Sequence, residues 1–395
     1  YNSSNIDKLT TMADKLTILG NGSSALLTAF ALSRLGISID LFCDLSKKND
    51  TNLVTFLSSF TLKYLNSIGI DQLSLQKYEN INEIECCYIN KNNNDNSVLN
   101  FENNKVKPLG RIIPNNDLFD LLYQKVINAE NIKIIKEEII DIDFNDDQST
   151  ISLASKKSFN AKLLIFTDSK NRFVKNLTSN KFIKKSFNQT ALSIDANVNR
   201  THLNTAYQFF TKDGPLALLP VNNKRASFVW SLKNESAILD HSKEEIAKEI
   251  YKYSEKYVSQ LSINSITKHK LVFSFSKNMY FKNVILLGEA AHIVHPIAGQ
   301  GFNLTLKDIS ALCDVIDRYS SLGYELNHKF ILKEFSITRI PDNTLFSFST
   351  KFMNDAFSSK NNLINKSVET SFKILNRLPF IKKSLMMTAS GRKIF

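Results

Sequence analysis

The stretch LTILGNGSSALLTAFALSRLGISIDLFCD, residues 16–44, constrains this chain more than any other. It reads as a short apolar strand, a glycine-rich turn, a helix from Ser23 to about Leu35, and a second apolar strand ending near Asp44. Two strands joined through one helix run parallel, because the crossover carries the chain back to its starting edge. An α/β unit with a parallel sheet follows. Within the turn, Gly20, Gly22 and Ala25 have G-x-G-x-x-A spacing. The first glycine permits the tight turn, the second lets backbone approach a pyrophosphate, and Ala25 keeps the helix close to the strand. The helix start would offer free amides carrying roughly half a positive charge. Asp44 stands at about the 20-residue spacing expected of an acid that holds a ribose hydroxyl. An ordinary α/β turn is the alternative reading of the same residues.

Two later stretches repeat part of this grammar. KLLIFTDSKNRFVKNL, residues 162–177, is an apolar strand ending at Asp168, which alone is an ordinary strand end. VILLGEAAHIVHPIAGQGFNLTLKD is another strand, then a loop, then apolar residues Phe302, Leu304, Leu306, Ile309 and Leu312 at helical spacing, so a helix begins near Gly301 or Phe302. Glu289, His292 and His295 invite a zinc reading. HExxH sites, however, set two histidines four apart on one helix face, whereas here the spacing is three and three. Pro296 also disfavours helix at His295. No metal is expected. The amides of Gly299, Gln300 and Gly301, leading into a helix, suit a phosphate or ring carbonyl instead. The two histidines are either packed structural residues or proton donors.

A length of 395 residues suggests two or three domains, and 43% hydrophobic content with 28 Phe supports a real interior. No apolar run reaches the roughly 18 to 20 residues of a spanning helix. The net charge of +12 favours anionic partners, although lysines spread along an Asn-rich chain also follow from compositional bias. Without an Arg-rich stripe interleaved with aromatics, nucleic acid is not an expected partner. Cys43, Cys86, Cys87 and Cys313 lack CxxC spacing and fit a reducing compartment. The polar start YNSSNIDKLTTMADK reads as a tail rather than a secretory signal.

Together, GNGSSA, FTDSKNRFVK and GEAAHIVHPIAGQGFNLTLKD resemble the three motifs of class A flavoprotein monooxygenases, which have the para-hydroxybenzoate hydroxylase fold. QTALSIDANVNRTHLNTAYQFFTKDGPLALLPVNNKRASFVWSL at 189–232, LGRIIPNNDLFDLL at 109–122 and RIPDNTLFSFSTKFMNDAF at 339–357 narrow the resemblance to the ubiquinone-biosynthesis hydroxylases. The resemblance runs from about Lys15 to Gly391. It implies FAD as cofactor, held by Gly20, Gly22, Ala25 and Asp44 at its ADP half. It also implies contacts from Arg111, Asp168, Glu289, Pro296, Gly299, Gln300, Gly301 and Asn303. The implied reaction takes O2 and reducing equivalents from NAD(P)H or another donor and inserts one oxygen atom into an electron-rich ring. The substrate class is a polyprenyl phenol or quinol. The setting is cytoplasmic at the inner membrane face or its mitochondrial matrix equivalent, with a ubiquinone-synthesis complex as a further partner. A small soluble aromatic substrate, or a non-catalytic scaffold in that complex, are the rival readings.

The chain departs from the family pattern at several places. Glu289 replaces Asp, Cys43 stands where the family's strand-ending acid falls with Asp44 one place later, and Ser169 and Thr305 replace glycines. Arg172 replaces a small residue, and an arginine near Leu53 is missing. The expected architecture is a discontinuous Rossmann-like FAD-binding domain from 15–75, 106–182 and 270–327. An inserted, mostly antiparallel substrate domain comes from 76–105 and 183–269, and a C-terminal helical segment from 328–395. In the substrate sheet, Phe209, Phe210, Leu216, Leu218, Phe228 and Trp230 either line an apolar pocket or form plain core, with Tyr207 as a candidate polar group there. The end SFKILNRLPFIKKSLMMTASGRKIF has the basic amphipathic pattern of a segment lying on a membrane surface or packed on the flavin domain.

Overall fold

The computed structural model describes residues 15–44, 53–70, 75–89, 96–102, 108–177, 182–200, 204–296 and 299–357. The polar N-terminal tail and the basic end beyond residue 357 lie outside them.

The three motif strands become neighbours in one sheet. Lys15–Leu19 lies between Leu164–Phe166 and Ser38–Phe42, and Val284–Leu286 adds beyond Leu164–Phe166; all these pairings are parallel. Ile132–Ile135 extends the sheet parallel on one edge, and Tyr280–Phe281 closes the other antiparallel. The central strands Leu164–Phe166 and Val284–Leu286 are apolar throughout because both sheet faces are covered, so alternation with polar residues is not required there. The helix Ser23–Ser33 buries every residue from Ala25 to Ser33, the pattern of a helix enclosed on all sides. Two small antiparallel sheets flank this layer: Ser158–Ala161, Ser149–Leu153 and Ile139–Asp143, and then Val54–Ser58, Gly110–Pro114 and Asn80–Ile81.

A second large sheet has eight strands and is antiparallel except where Thr205–Thr211 runs parallel to Glu83–Ile89. Its centre holds Phe182–Arg200, Arg225–Lys233 and Gly214–Asn222. One face buries Leu192, Trp230, Leu216 and Phe209 beside residues of the helix Lys243–Ser254. On the other face, Ala206, Ala217, Leu219 and Val221 join the same apolar core as the parallel sheet. That second face therefore looks toward the three motifs.

The final described helix, Lys329–Phe357, is tied to the late motif by buried charge. Asp308 accepts from Arg339 Nε at 2.8 Å and Asn343 Nδ2 at 2.9 Å, and its other oxygen lies 2.6 Å from His292 Nε2. Burial alone would raise the Asp308 carboxyl, but His292 and Arg339 overcome it and bring its pKa down to about 2. Because the folded value lies below the ordinary 3.8, the stabilisation is complete above about pH 4 and lost as pH falls through about 2. A shift of that size corresponds to about 2 to 3 kcal/mol. Urea unfolding of wild type and Asp308→Asn across this range should show the wild type losing that much more stability on acidification. Parallel pH profiles would mean that the network is not formed.

Candidate functional site: a crevice at the ends of three parallel strands

The three motifs leave the carboxyl ends of adjacent parallel strands, the place where open α/β sheets bind ligands. They are also bonded to one another. The Asn21 amide donates to Asp168 Oδ2 at 2.8 Å, and Asn21 Oδ1 accepts from the Asp44 amide at 2.7 Å. Thr167 donates its amide to Leu19 O at 3.1 Å and accepts from the Ala290 amide at 3.1 Å. Asn21 and Thr167 thus hold the first, second and third motifs in register. Sequence reasoning passed over both, since each looks like an ordinary polar residue beside a glycine or an acid.

The two turn glycines answer to different constraints. A Cβ on Gly20 would lie 2.0 Å from Thr167 Oγ1 and 3.1 Å from the Ala25 methyl, so the protein itself forbids a side chain there. A Cβ on Gly22 would meet nothing within 4 Å. Its φ of −108° is open to any residue, so no described residue requires glycine at that position and the space above it is open to a bound group. Next to it, the helix Ser23–Ser33 begins without a side-chain cap, leaving its first amides free for an anion.

The late motif supplies the opposite wall. Gly288, at φ +59°, sits against Thr305, whose methyl would lie 2.8 Å from an added Cβ; the threonine that replaces a family glycine is thus packed, not strained. The helix Gly301–Ser321 starts where the sequence pattern placed it, after Gln300 and again without a side-chain cap. Gly299, at φ +63°, accepts the turn from Pro296, to whose carbonyl it donates at 3.2 Å. Asn303 spends its side chain within the protein. Its Oδ1 accepts from Ser58 N at 3.0 Å and Thr61 Oγ1 at 2.6 Å, and its Nδ2 donates to Phe56 O at 2.6 Å and Gln300 Oε1 at 3.0 Å. That uses the capacity of the amide, so the side chain anchors the strand Val54–Ser58 and only its backbone N–H can face a ligand.

Two acids line the crevice. Burial raises the pKa of Asp168, against the hydrogen bonds from Asn21 and Thr167 and the charge of Lys170. Glu289 retains solvent-accessible surface yet is crowded by protein, and this desolvation, followed by the charge of Asp168, raises its carboxyl as well. Two carboxylates that crowd each other are well suited to accept from neutral hydroxyls, as a ribityl chain would offer. Cys43, buried with its pKa pushed up to about 12 by burial and then by Asp168 and Asp44, is not a reactive thiol. Arg172 donates to Ile139 O at 2.9 Å and Ile140 O at 2.7 Å, which gives that departure a structural role. Ser169 has no positive φ, so the missing glycine costs no strain.

The remaining candidates are dispersed. Arg111 lies on Gly110–Pro114 with Nε donating to Asn80 at 2.7 Å, while its Nη1 is buried without a partner among the described residues. His292 is committed to Asp308. His295 meets Gln189 at 3.2 Å and Phe187 edge-on, and burial pushes its pKa down to about 4. Tyr207, Phe209, Leu216, Leu218, Phe228 and Trp230 lie on the far face of the large sheet, in the core beneath the helix Lys243–Ser254 and turned away from the crevice. Of the residues considered for that lining, Phe210 alone falls on the near face, because successive strand residues alternate.

The model of the FAD binding domain family matches residues 13–318, which take in all three motifs. The chain belongs to that family. The mitochondrial ubiquinone biosynthesis monooxygenase COQ6 of Dictyostelium discoideum is 24% identical over 355 residues, covering 76% of this chain and 72% of that one. The 3-demethoxyubiquinol 3-hydroxylase of Escherichia coli K12 is 25% identical over 258 residues, 65% of this chain and 66% of its own. Among solved structures, p-nitrophenol 4-monooxygenase PnpA of Pseudomonas putida DLL-E4 superposes with a TM-score of 0.78 at 14% identity, covering 97% of this chain and 99% of that one. HpxO of Klebsiella pneumoniae, solved with FAD and uric acid, gives 0.73 at 14% identity, covering 96% and 97%. At such identity these two likenesses concern the fold. This member is a flavin-dependent aromatic-ring monooxygenase, and FAD is its cofactor.

The two glycines separate fold from ligand. Gly22→Val should fold with unchanged Tm yet lose FAD, whereas Gly20→Ala should lower Tm. Full yellow colour in Gly22→Val would remove the pyrophosphate from that turn. Glu289→Ala should weaken FAD by roughly five-fold to somewhat over a hundred-fold, the range for losing one buried hydrogen-bond partner, with Glu289→Asp tolerated.

Proposed function

We propose that this monooxygenase hydroxylates the ring of a polyprenylated phenol or quinol on the route to ubiquinone, using O2 and reducing equivalents from NAD(P)H or another donor. The observation that carries the FAD placement is the convergence of two uncapped helix starts and two crowded carboxylates on one crevice. The substrate rests on relatives named for ubiquinone hydroxylation. In this reading the turn from Gly20 to Ala25 holds the pyrophosphate through the amides of Gly22, Ser23 and Ser24, since those of Gly20, Asn21 and Ala25 donate to Phe42 O, Asp168 Oδ2 and Gly22 O; Asp44 holds the ribose, and Asp168 and Glu289 the ribityl hydroxyls. The amides of Gln300, Gly301 and Asn303 face the ring carbonyls, with Pro296 and Gly299, whose amide donates to Pro296 O, shaping their turn. Arg111 Nη1 remains a candidate for an outlying cofactor oxygen. Bound there, the flavin supplies O2 activation and single-oxygen insertion, chemistry that side chains lack. The protein's part is to orient the two rings and exclude water beneath the near face of the large sheet. No general acid or base is assigned.

This reading divides the chain into an FAD-binding unit from 15–75, 106–182 and 270–327, a substrate unit from 76–105 and 183–269, and a helical end from 328. It also places the protein at an anionic membrane surface, on the cytoplasmic or matrix side. No described helix is long and apolar enough to cross a membrane. The helix Lys329–Phe357 does expose Phe330, Ile337, Leu345, Phe348 and Phe352, which recur on one side at helical spacing. Such a stripe supports contact with lipid or with a complex.

The purified protein should be yellow and should add one oxygen atom to a polyprenyl phenol presented in anionic vesicles. A strain lacking it should accumulate the unhydroxylated precursor. Turnover of water-soluble aromatics alone would replace the lipid substrate, and a colourless protein that cannot be reconstituted would favour the scaffold reading.

A further inference from the structure

From Ser336 to Asn354 the long helix Lys329–Phe357 is built inside out. Every buried residue in that interval is polar: Ser336, Arg339, Asn343, Ser347, Thr350 and Asn354. The apolar side chains Ile337, Leu345, Phe348 and Phe352 point the other way, with Ile337 61%, Leu345 58% and Phe352 74% exposed. A helix that borders only water has the opposite arrangement. The inner face is explained by Asp308, which takes hydrogen bonds from Arg339 and Asn343, and by the Met279 amide, which donates to Ser336. Nothing among the described residues explains the outer face, which calls for a partner.

The order of residues along that face identifies the partner. Phe330, Glu334, Ile337, Pro341, Leu345, Phe348 and Phe352 share one side of the helix, at intervals of 4, 3, 4, 4, 3 and 4 residues. The series reads the same in both directions about Pro341. All its members are apolar but Glu334, whose carboxylate is held to the helix Gly301–Ser321 by Tyr319 Oη at 2.7 Å and by Arg318. A two-fold dimer requires a patch complementary to itself, and two antiparallel copies of this stripe meet that requirement. With the axis at Pro341, Phe330 lies against Phe352 of the partner subunit and Ile337 against Leu345 of the partner subunit.

Charge and area favour a second copy over a bilayer. Outside its buried face the helix carries Lys329, Lys333 and Lys351 against Glu334, Asp342 and Asp355, a balance that leaves no basic rim for anionic lipid. Asp342 is already paired with Arg339 at 2.8 Å and Asp355 with Lys351 at 2.7 Å, so association buries neither carboxylate alone. The exposed parts of the stripe amount to roughly 500 Å² per copy, or about 1,000 Å² for the pair, the lower end of a specific interface.

We propose that the outer face of the helix Lys329–Phe357 is a self-association surface, through which two copies of this chain pair antiparallel about Pro341. The pairing stands on the stripe alone and holds whatever ring the enzyme hydroxylates. Because the clamped helix carries Arg339, the dimer also braces the Asp308 and His292 network behind the late motif.

The test is sedimentation velocity of the full chain over a range of concentrations, beside flotation on vesicles of neutral and of anionic lipid. The wild type should sediment as a dimer. Ile337→Glu sets a carboxylate against a leucine twice per dimer and should raise the dimer dissociation constant about thirty-fold or more, the loss typical of an interface hot spot. Adding Leu345→Lys places an ammonium opposite each new carboxylate and should recover the dimer in part, as this register alone predicts. Both positions are exposed, so Tm and flavin colour should hold. On mild oxidation Pro341→Cys should cross-link to its own copy, whereas Phe352→Cys should not, since its copy lies about 33 Å away along the helix pair. A monomeric wild type, a dimer that Ile337→Glu leaves intact, or cross-linking at Phe352→Cys in place of Pro341→Cys would each overturn the proposal. A monomer that floats on vesicles, and loses flotation in Ile337→Glu, would give the face to lipid instead.

Discussion

The hydrogen bond from the Asn21 amide to Asp168 joins residues 147 apart in sequence, and the crevice depends on it. Each motif alone is a strand followed by a turn. Asn21 ties the first to the second and to Asp44, and Thr167 ties the second to both neighbours through its amide, carbonyl and hydroxyl. Gly20 is glycine so that Thr167 can come this close. The binding surface is therefore set by backbone groups in fixed register and not by a collection of long side chains, which suits a cofactor whose polar groups are phosphates, hydroxyls and ring carbonyls.

Anchoring continues away from the crevice through groups that look functional by type. Asn303 spends its side chain on Phe56, Ser58, Thr61 and Gln300, fixing a strand and a helix start against the GQG turn. His292 and Asp308 belong to a buried ion network that holds the long terminal helix. Polar residues around the crevice serve mostly to hold the elements that present amides.

The sequence made some of this legible and hid the rest for physical reasons. Gly20, Gly22 and Ala25 announce their turn because spacing and local backbone geometry are properties of adjacent residues. The start of the helix at Gly301 was equally local. What a strand residue faces depends on register, and register comes from partners far along the chain. Trp230 and Phe228 advertised a pocket by size, yet both lie under an outer helix, while the near face carries small residues such as Ala206 and Ala217, whose types suggest nothing in isolation. Alternation within the same strands carried the signal, but only once one residue's direction was known.

The order of the parallel sheet has a consequence for how the molecule is made. Leu164–Phe166 pairs on one side with Lys15–Leu19 and on the other with Val284–Leu286. On a ribosome, more than a hundred residues emerge between those two partners, and the long strands of the antiparallel sheet all belong to that interval. Until Val284–Leu286 arrives, a fully apolar strand has an open edge of the kind that recruits other chains. Closing the crevice and hiding that edge are the same event.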